Sequence, residues 1–243
     1  MKIKFLGTSY GAPSIGRRQQ SILIETDDKN AYLIDTGAPV TDVLVNEGYD
    51  ISKIKSVFIT HLHGDHMNGL HDLINLAEFL NARFTVYLSE QRGIDAFEAY
   101  TFMQLGQKRS ARIDFKLFDE GCFYDDGTLR VRAVHNDHME ASGLPSYGFL
   151  VEADGASVYI TGDLHPTLKD FPKLLCDRHT DMIVTECAHF AAAEIVGVLN
   201  KCNTEIAAFI HVMPPEKYAD LKSFEAQMNF SPLYPDDNDE IKL

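Results

Sequence analysis

Four groups able to bind a metal ion stand within six residues in the segment His61-Leu62-His63-Gly64-Asp65-His66. Imidazole and carboxylate donors suit zinc, iron or manganese. The segment directly follows Ser56-Val57-Phe58-Ile59-Thr60, a short apolar run. In a helix, His61 and His63 would point to nearly opposite sides, whereas at a strand end or in a tight loop they can converge. Gly64 supplies the freedom a sharp turn needs and leaves room for an approaching ion. A structural zinc site more typically draws on thiolates and closes all four positions, and no cysteine lies near this segment. The plain alternative is a solvated loop that holds histidines by chance, and the density of donors argues against it.

Such a loop needs partners from elsewhere in the chain, and a repeated pattern offers them. Ala31-Tyr32-Leu33-Ile34 ends in Asp35-Thr36-Gly37, and Ser157-Val158-Tyr159-Ile160-Thr161 ends in Gly162-Asp163. Met182-Ile183-Val184-Thr185 ends in Glu186-Cys187-Ala188-His189, and Ala207-Ala208-Phe209-Ile210 ends in His211. Short runs rich in Val, Ile, Phe and Tyr read as buried strands. The tips of neighbouring strands can converge on one sheet edge, where α/β proteins usually place their sites. Buried strands also stop at polar residues for ordinary reasons, but so many endings in Asp, Glu or His weaken that reading. Further strands are expected at 21–25, 84–88, 129–134 and 147–152, with helices over 67–81, about 89–107 and about 190–202. The Tyr-Leu-Ile-Asp-Thr-Gly and Tyr-Ile-Thr-Gly-Asp turns look like counterparts, and two layered sheets flanked by helices fit this order. No Gly/Ser linker divides the chain, so residues 1–243 are expected to form a single domain. The acidic stretch Pro235–Glu240, within a tail of about 232–243, is expected to be a solvated end with no role in chemistry.

Composition narrows the partners. The formal net charge is −14, opposite to the Lys and Arg surplus that binds long nucleic-acid backbones. A small-molecule substrate is therefore expected rather than a polynucleotide. Lys108, Arg109 and Arg112 form the clearest local basic cluster, which a helix C-terminus suffices to account for. The four cysteines, Cys122, Cys176, Cys187 and Cys202, form no Cys-x-x-Cys pair and read as reduced thiols. No run approaches the roughly 18 apolar residues of a membrane span, and the opening residues lack a signal-peptide core. A cytoplasmic protein is the expectation.

His61-x-His63-x-Asp65-His66, preceded by Asp35-Thr36-Gly37 and followed by Gly162-Asp163 and a strand-end His211, resembles the metallo-β-lactamase superfamily. The resemblance extends from about Lys2 to Pro214. It implies an α/β fold, a four-layer αββα sandwich of two mixed β-sheets flanked by helices, with a binuclear site at the top of the sheets. It further implies one metal held by His61, His63 and a later histidine, and another held by Asp65, His66 and His211, with Asp163 bridging. The later histidine is His135 or His138, and its position relative to the 129–134 strand favours His138. Asp35 would orient the histidine loop from behind. Two divalent cations, zinc foremost with manganese or iron as alternatives, would lower the pKa of a bridging water from 15.7 toward about 7, giving a metal-bridging hydroxide. Asp65 is placed to position that water.

Within the superfamily, Phe5-Leu6-Gly7-Thr8, Pro13, and Arg17-Arg18 before Ser21-Ile22-Leu23 are similar to ribonuclease Z and the cyclic-phosphate phosphodiesterases. So is Ser146-Tyr147-Gly148-Phe149. Glu186-Cys187-Ala188-His189 resembles the segment in which that branch carries an additional histidine. His189 would then touch the scissile phosphate or protonate the leaving oxygen; the plain alternative is a residue that merely packs nearby. The expected activity is a phosphodiesterase acting on a small phosphodiester or nucleotide. The alternatives are a lactone- or thioester-type hydrolase and a tRNA 3′-processing endonuclease. The endonuclease is disfavoured because the Gly/Pro-rich arm that grips tRNA has no counterpart here. An iron-dependent oxidoreductase is disfavoured because such relatives usually show glutamate where this chain has His63. Phe97, Tyr100, Phe102 and Met103 are candidates for a substrate wall or a homodimer contact, with core packing the favoured role.

Overall fold

The computed structural model describes residues 1–106 and 112–243. Lys108 and Arg109 lie outside the described residues, while Arg112 sits 3.5 Å from Glu78. In chain order the strands are β1 (Lys2–Gly7), β2 (Ser21–Glu25), β3 (Ala31–Ile34), β4 (Ile54–Phe58), β5 (Phe84–Leu88), β6 (Ile113–Leu117), β7 (Gly121–Asp125) and β8 (Leu129–Asn136). They continue as β9 (Ser146–Ala153), β10 (Ala156–Ile160), β11 (Thr180–Cys187), β12 (Thr204–Val212), β13 (Ser231–Leu233) and β14 (Glu240–Lys242). The helices are α1 (Val40–Asn46), α2 (Gly64–Met67), α3 (Leu70–Leu80), α4 (Gln91–Leu105), α5 (Leu174–Asp177), α6 (Ala192–Leu199) and α7 (Lys217–Ser223).

Two seven-stranded mixed sheets face each other, ordered β14-β1-β2-β3-β4-β5-β6 and β13-β12-β11-β10-β9-β8-β7. Each sheet joins an antiparallel pair to a parallel run: β2/β3 then β3/β4/β5 in one, and β9/β10 then β10/β11/β12 in the other. The two halves of the chain are therefore counterparts in topology.

The alternation of side chains along a strand explains why the central strands are apolar throughout. Tyr32 and Ile34 of β3 point into the core between the sheets, while Ala31 and Leu33 face α1 and α3 on the outside. In β12, Ala208 and Ile210 join the central core, and Ala207 and Phe209 meet α6 and α7. Three apolar layers thus separate four structural layers, the αββα sandwich of the metallo-β-lactamase fold.

The expected helix over 67–81 is broken into α2 and α3 at Gly69. A Cβ there would sit 2.8 Å from the Thr36 carbonyl oxygen and 2.7 Å from Val40, and the Gly69 N–H donates to that carbonyl. Close crossing over the Asp35-Thr36-Gly37 turn interrupts the periodicity. In α4, Ile94 is buried and Phe97 packs against the same core. Tyr100, Phe102 and Met103 are instead 52%, 47% and 80% exposed, so the core-packing expectation for these three does not hold.

The tail departs from expectation only in part: Asp236, Asn238, Asp239 and Glu240 are exposed as expected, but the segment that carries them is anchored. β13 pairs with β12 and β14 with β1. Tyr234 stacks on Phe209, and the Asp237 side chain is only 4% exposed. Apolar and hydrogen-bonding residues flank the acidic ones, so the tail docks on the sheets rather than trailing in solvent.

Candidate metal centre

Four strands deliver their C-terminal ends to one edge of the sandwich. β4 leads into the His61–His66 loop, β8 into His138, and β10 into Asp163; β12 carries His211 near its end. The Thr60 carbonyl accepts the Tyr147 N–H across the two sheets, which locks their edges together.

Asp35 organises the loop from below. Fully buried with φ +59°, it accepts Thr60 N–H at 2.8 Å on Oδ1. Its Oδ2 takes Gln20 Nε2 at 3.1 Å and lies 2.7 Å from His66 Nδ1. That contact places the proton on Nδ1 and turns the Nε2 lone pair outward, the usual role of a carboxylate behind a ligand histidine. Gly37 permits the approach, since a Cβ there would lie 2.4 Å from the Asp65 carbonyl oxygen.

Two donor clusters result, His61-His63-His138-Asp163 and Asp65-His66-Asp163-His211, each with its ligand atoms within 4.8 Å of one another. In the first, His63 Nδ1 is 3.0 Å from His61 Nε2 and 3.1 Å from His138 Nε2. Asp163 Oδ2 stands 3.9 Å and 3.6 Å from those two Nε2 atoms. In the second, Asp163 Oδ1 is 3.3 Å from His66 Nε2 and 3.6 Å from His211 Nε2. Asp65 Oδ2 lies 3.4 Å and 3.0 Å from the same atoms. A tetrahedral ion with bonds of about 2.0–2.1 Å would space its ligands by roughly 3.3–3.4 Å, so both clusters fit a divalent cation. His66 Nε2 and Asp163 Oδ1 are buried with no hydrogen-bond partner among the described residues, an expensive condition that a cation would relieve.

The electrostatics divide the donors: burial acts to lower His66 and His211, but Asp163 and the other carboxylates beside them outweigh it and raise both above the ordinary histidine value. Burial and neighbouring imidazoles push His61 well below the ordinary histidine value, and burial lowers His63 and His138 as well. All three are neutral near pH 7 and offer lone pairs. Burial also disfavours ionised Asp163, but His211 and His66 outweigh it and hold the carboxyl well below its usual range. Asp65 is likewise held down, by His211 and His66 against its burial.

All seven residues that the sequence marks as metal ligands therefore meet at one place. His135, the alternative to His138, is 47% exposed and lies near Asp137 at 3.8 Å. Beside the clusters is a cavity of about 360 Å³ lined by Tyr10, Gly11, Ala12, His189 and Met213 as well as by ligand residues. The His189 ring is 4.8 Å from that of His138. Its Nδ1 lies 2.8 and 2.9 Å from the two oxygens of Glu186. Burial alone would lower His189, but the bond to Glu186 and its charge raise it above the ordinary value. In the sequence Glu186 is no more than a strand ending. In the fold it is 1% exposed and also accepts the N–H groups of Leu164, Ala188 and His189. Lys217 donates to the carbonyls of Cys187, Ala188 and Phe190 and so ties down the same turn.

Residues 1–213 match the family described as anti-Pycsar protein Apyc1. The chain belongs to that family. Within the wider superfamily, the Apyc1-family chain is 30% identical over 167 residues to ribonuclease Z of Anoxybacillus flavithermus, covering 68% of this chain and 52% of that protein. It thus spans about half the length of the curated relatives it matches. Among solved structures, the metallo-β-lactamase fold protein YhfI from Bacillus subtilis superposes with TM-score 0.78 at 16% identity, over 99% of both chains. The short form of human tRNase Z gives 0.77 at 20% identity, over 100% of this chain and 99% of that one. At these identities the structures speak for the fold. This Apyc1-family protein has the metallo-β-lactamase fold, and its sequence is similar to that of ribonuclease Z.

Proposed function

We propose that the protein is a phosphodiesterase acting on a small phosphodiester or nucleotide, with two divalent cations, zinc foremost. His61, His63 and His138 hold one cation and Asp65, His66 and His211 the other, with Asp163 between them. The observation that carries this reading is the sharing of Asp163, one oxygen to each donor cluster, beside a cavity of about 360 Å³. That volume falls in the range of small-ligand sites, about 300–1,000 Å³. The net charge of −14 disfavours a long polyanion. When bound, such a pair of cations supplies an ionised water at neutral pH and charge neutralisation for the phosphate.

The remaining work falls to the chain's own groups. Asp65, ionised and aimed at the clusters, orients the attacking water. His189, whose protonated form the Glu186 carboxylate favours, faces the cavity and donates a proton to the leaving oxygen. Glu186 keeps that proton donor in place through Nδ1. The wall formed by Tyr10, Gly11 and Ala12 orients the rest of the substrate.

The ribonuclease Z relative supports phosphodiester chemistry, and the four free cysteines suit a cytoplasmic protein. No helix among the described residues is long and apolar enough to cross a membrane. The exposed Tyr100, Phe102 and Met103 fit a homodimer contact.

Metal analysis of protein purified without a histidine tag, together with a substrate panel, tests the proposal. Two equivalents of metal and faster cleavage of nucleotide phosphodiesters than of lactones, thioesters or β-lactams are expected. Preference for a lactone or thioester would transfer the site to carboxylic derivatives. Preference for a tRNA precursor would make it an endonuclease.

A further inference from the structure

The C-terminal tail grips both ends of the loop that forms one wall of the site. Asp237 Oδ1 accepts the Thr8 N–H at 2.9 Å and the Thr8 hydroxyl at 2.7 Å. Its Oδ2 accepts Arg18 N–H at 2.6 Å and Arg18 Nε–H at 2.9 Å. These four donors use the whole acceptor capacity of a carboxylate. Arg17 adds to the grip: it donates to Thr8 Oγ1 at 2.6 Å and to the Pro235 carbonyl at 2.9 Å, and pairs with Asp236.

Between Thr8 and Arg18 run Tyr10, Gly11 and Ala12, which line the cavity beside both donor clusters. Thr8 also reaches the site directly. Its carbonyl accepts the His211 N–H at 2.8 Å, where His211 is held in the left-handed region at φ +51°. A non-glycine residue keeps such a backbone only when its surroundings enforce it. One carboxylate near the end of the chain therefore bears on the rim loop and, through Thr8, on a donor of the second cluster. The family match ends at residue 213, so Asp237 lies beyond it.

We propose that Asp237 is a positioning residue of this centre, setting the height of the Tyr10–Ala12 rim and the backbone of His211. The proposal deepens the reading of the site and rests on it for the zinc and kinetic readouts, while the amide-exchange readout is independent of it.

The test compares Asp237→Ala and Asp237→Asn with Val131→Ala, which loosens the core between the sheets without touching the loop. All are measured at temperatures where the wild-type and variant proteins remain folded. Titration with zinc against a competing chelator should show the weaker of the two sites in Asp237→Ala loosened roughly 10–100-fold, as for other groups that orient ligands. Amide hydrogen exchange at residues 8–18 should accelerate on the order of tenfold or more as local opening becomes easier. Asp237→Asn, which keeps the shape and part of the acceptor set, should recover part of both losses, and it carries the test should the alanine variant not fold. Val131→Ala should change neither. With substrate, Asp237→Ala should raise KM and lower kcat together. Zinc affinity and loop exchange that stay at wild-type values, or that change equally in Val131→Ala of matched melting temperature, overturn the proposal. Because these two readouts need no substrate, a wild-type protein that cleaves no phosphodiester would remove the proposed function and still leave this question decided.

Discussion

At the residue scale, the site combines donors that spacing announces with supports that only three dimensions disclose. His61, His63, Asp65 and His66 are legible because four donors crowded into six residues after an apolar run rarely occur without an ion to hold. Asp163 and His211 follow from strand endings. Glu186 does not stand out, because an acid at a strand end looks the same whether it meets solvent or an imidazole. Its contact with His189 gives a sharp expectation. His189→Ala should slow release of a poor, alkoxide leaving group by roughly 10²–10⁴-fold and slow p-nitrophenolate release far less, since that anion needs no proton. Glu186→Gln should show the same selectivity in weaker form. Equal losses for both leaving groups, measured by steady-state kinetics, would remove the acid role. Asp163 contributes an oxygen to each cluster, so Asp163→Ala should deplete both metal equivalents in elemental analysis rather than one.

At the element scale, strands are easier to read than their surroundings. The apolar runs of β3, β10, β11 and β12 are buried on both faces, so hydrophobicity alone locates them. The single helix expected over 67–81 fails at Gly69, where the constraint is a crossing backbone and not a local propensity. Between the sheets, Phe149 is fully buried among Phe58, Phe118 and Phe123. Phe149→Ala should cost about 3–5 kcal/mol in chemical denaturation. The β7–β8 turn gives a pH-dependent counterpart. Burial acts to raise the Asp126 carboxyl, but the Tyr32 hydroxyl and the N–H groups of Leu129 and Thr128 outweigh it and hold it below its ordinary value. Its stabilisation is fully present above the unfolded value of about 4 and disappears as the pH falls through the lower folded value. Asp126→Asn should therefore lose about 1 kcal/mol at pH 7, reduced by the exposure of the site. The gap to wild type should close as denaturation is repeated at more acidic pH.

At the scale of the whole molecule, the two-sheet architecture is foreseeable from the order of motifs, while the fate of the surface is not. Periodicity marks Tyr100, Phe102 and Met103 as apolar but does not say whether anything covers them, and within the chain they remain exposed. Met103→Asp is expected to halve the mass seen by light scattering if a second copy is the cover, and a wild-type mass of one chain would count against it. The tail misleads for a related reason: acidic composition suggests solvation, yet Asp237 meets Thr8 and Arg18 at the opposite end of the sequence.

β14 lies along β1 and pairs with Lys2, Ile3 and Lys4. Stripping it away would bare a row of backbone donors and acceptors on a sheet margin, an invitation to strand-by-strand recruitment of other molecules. A shortened protein ending before Tyr234 should consequently be lost to precipitation rather than merely weakened, and a fusion partner is better tolerated at an exposed turn such as Asp27-Asp28-Lys29 than inside this closing segment.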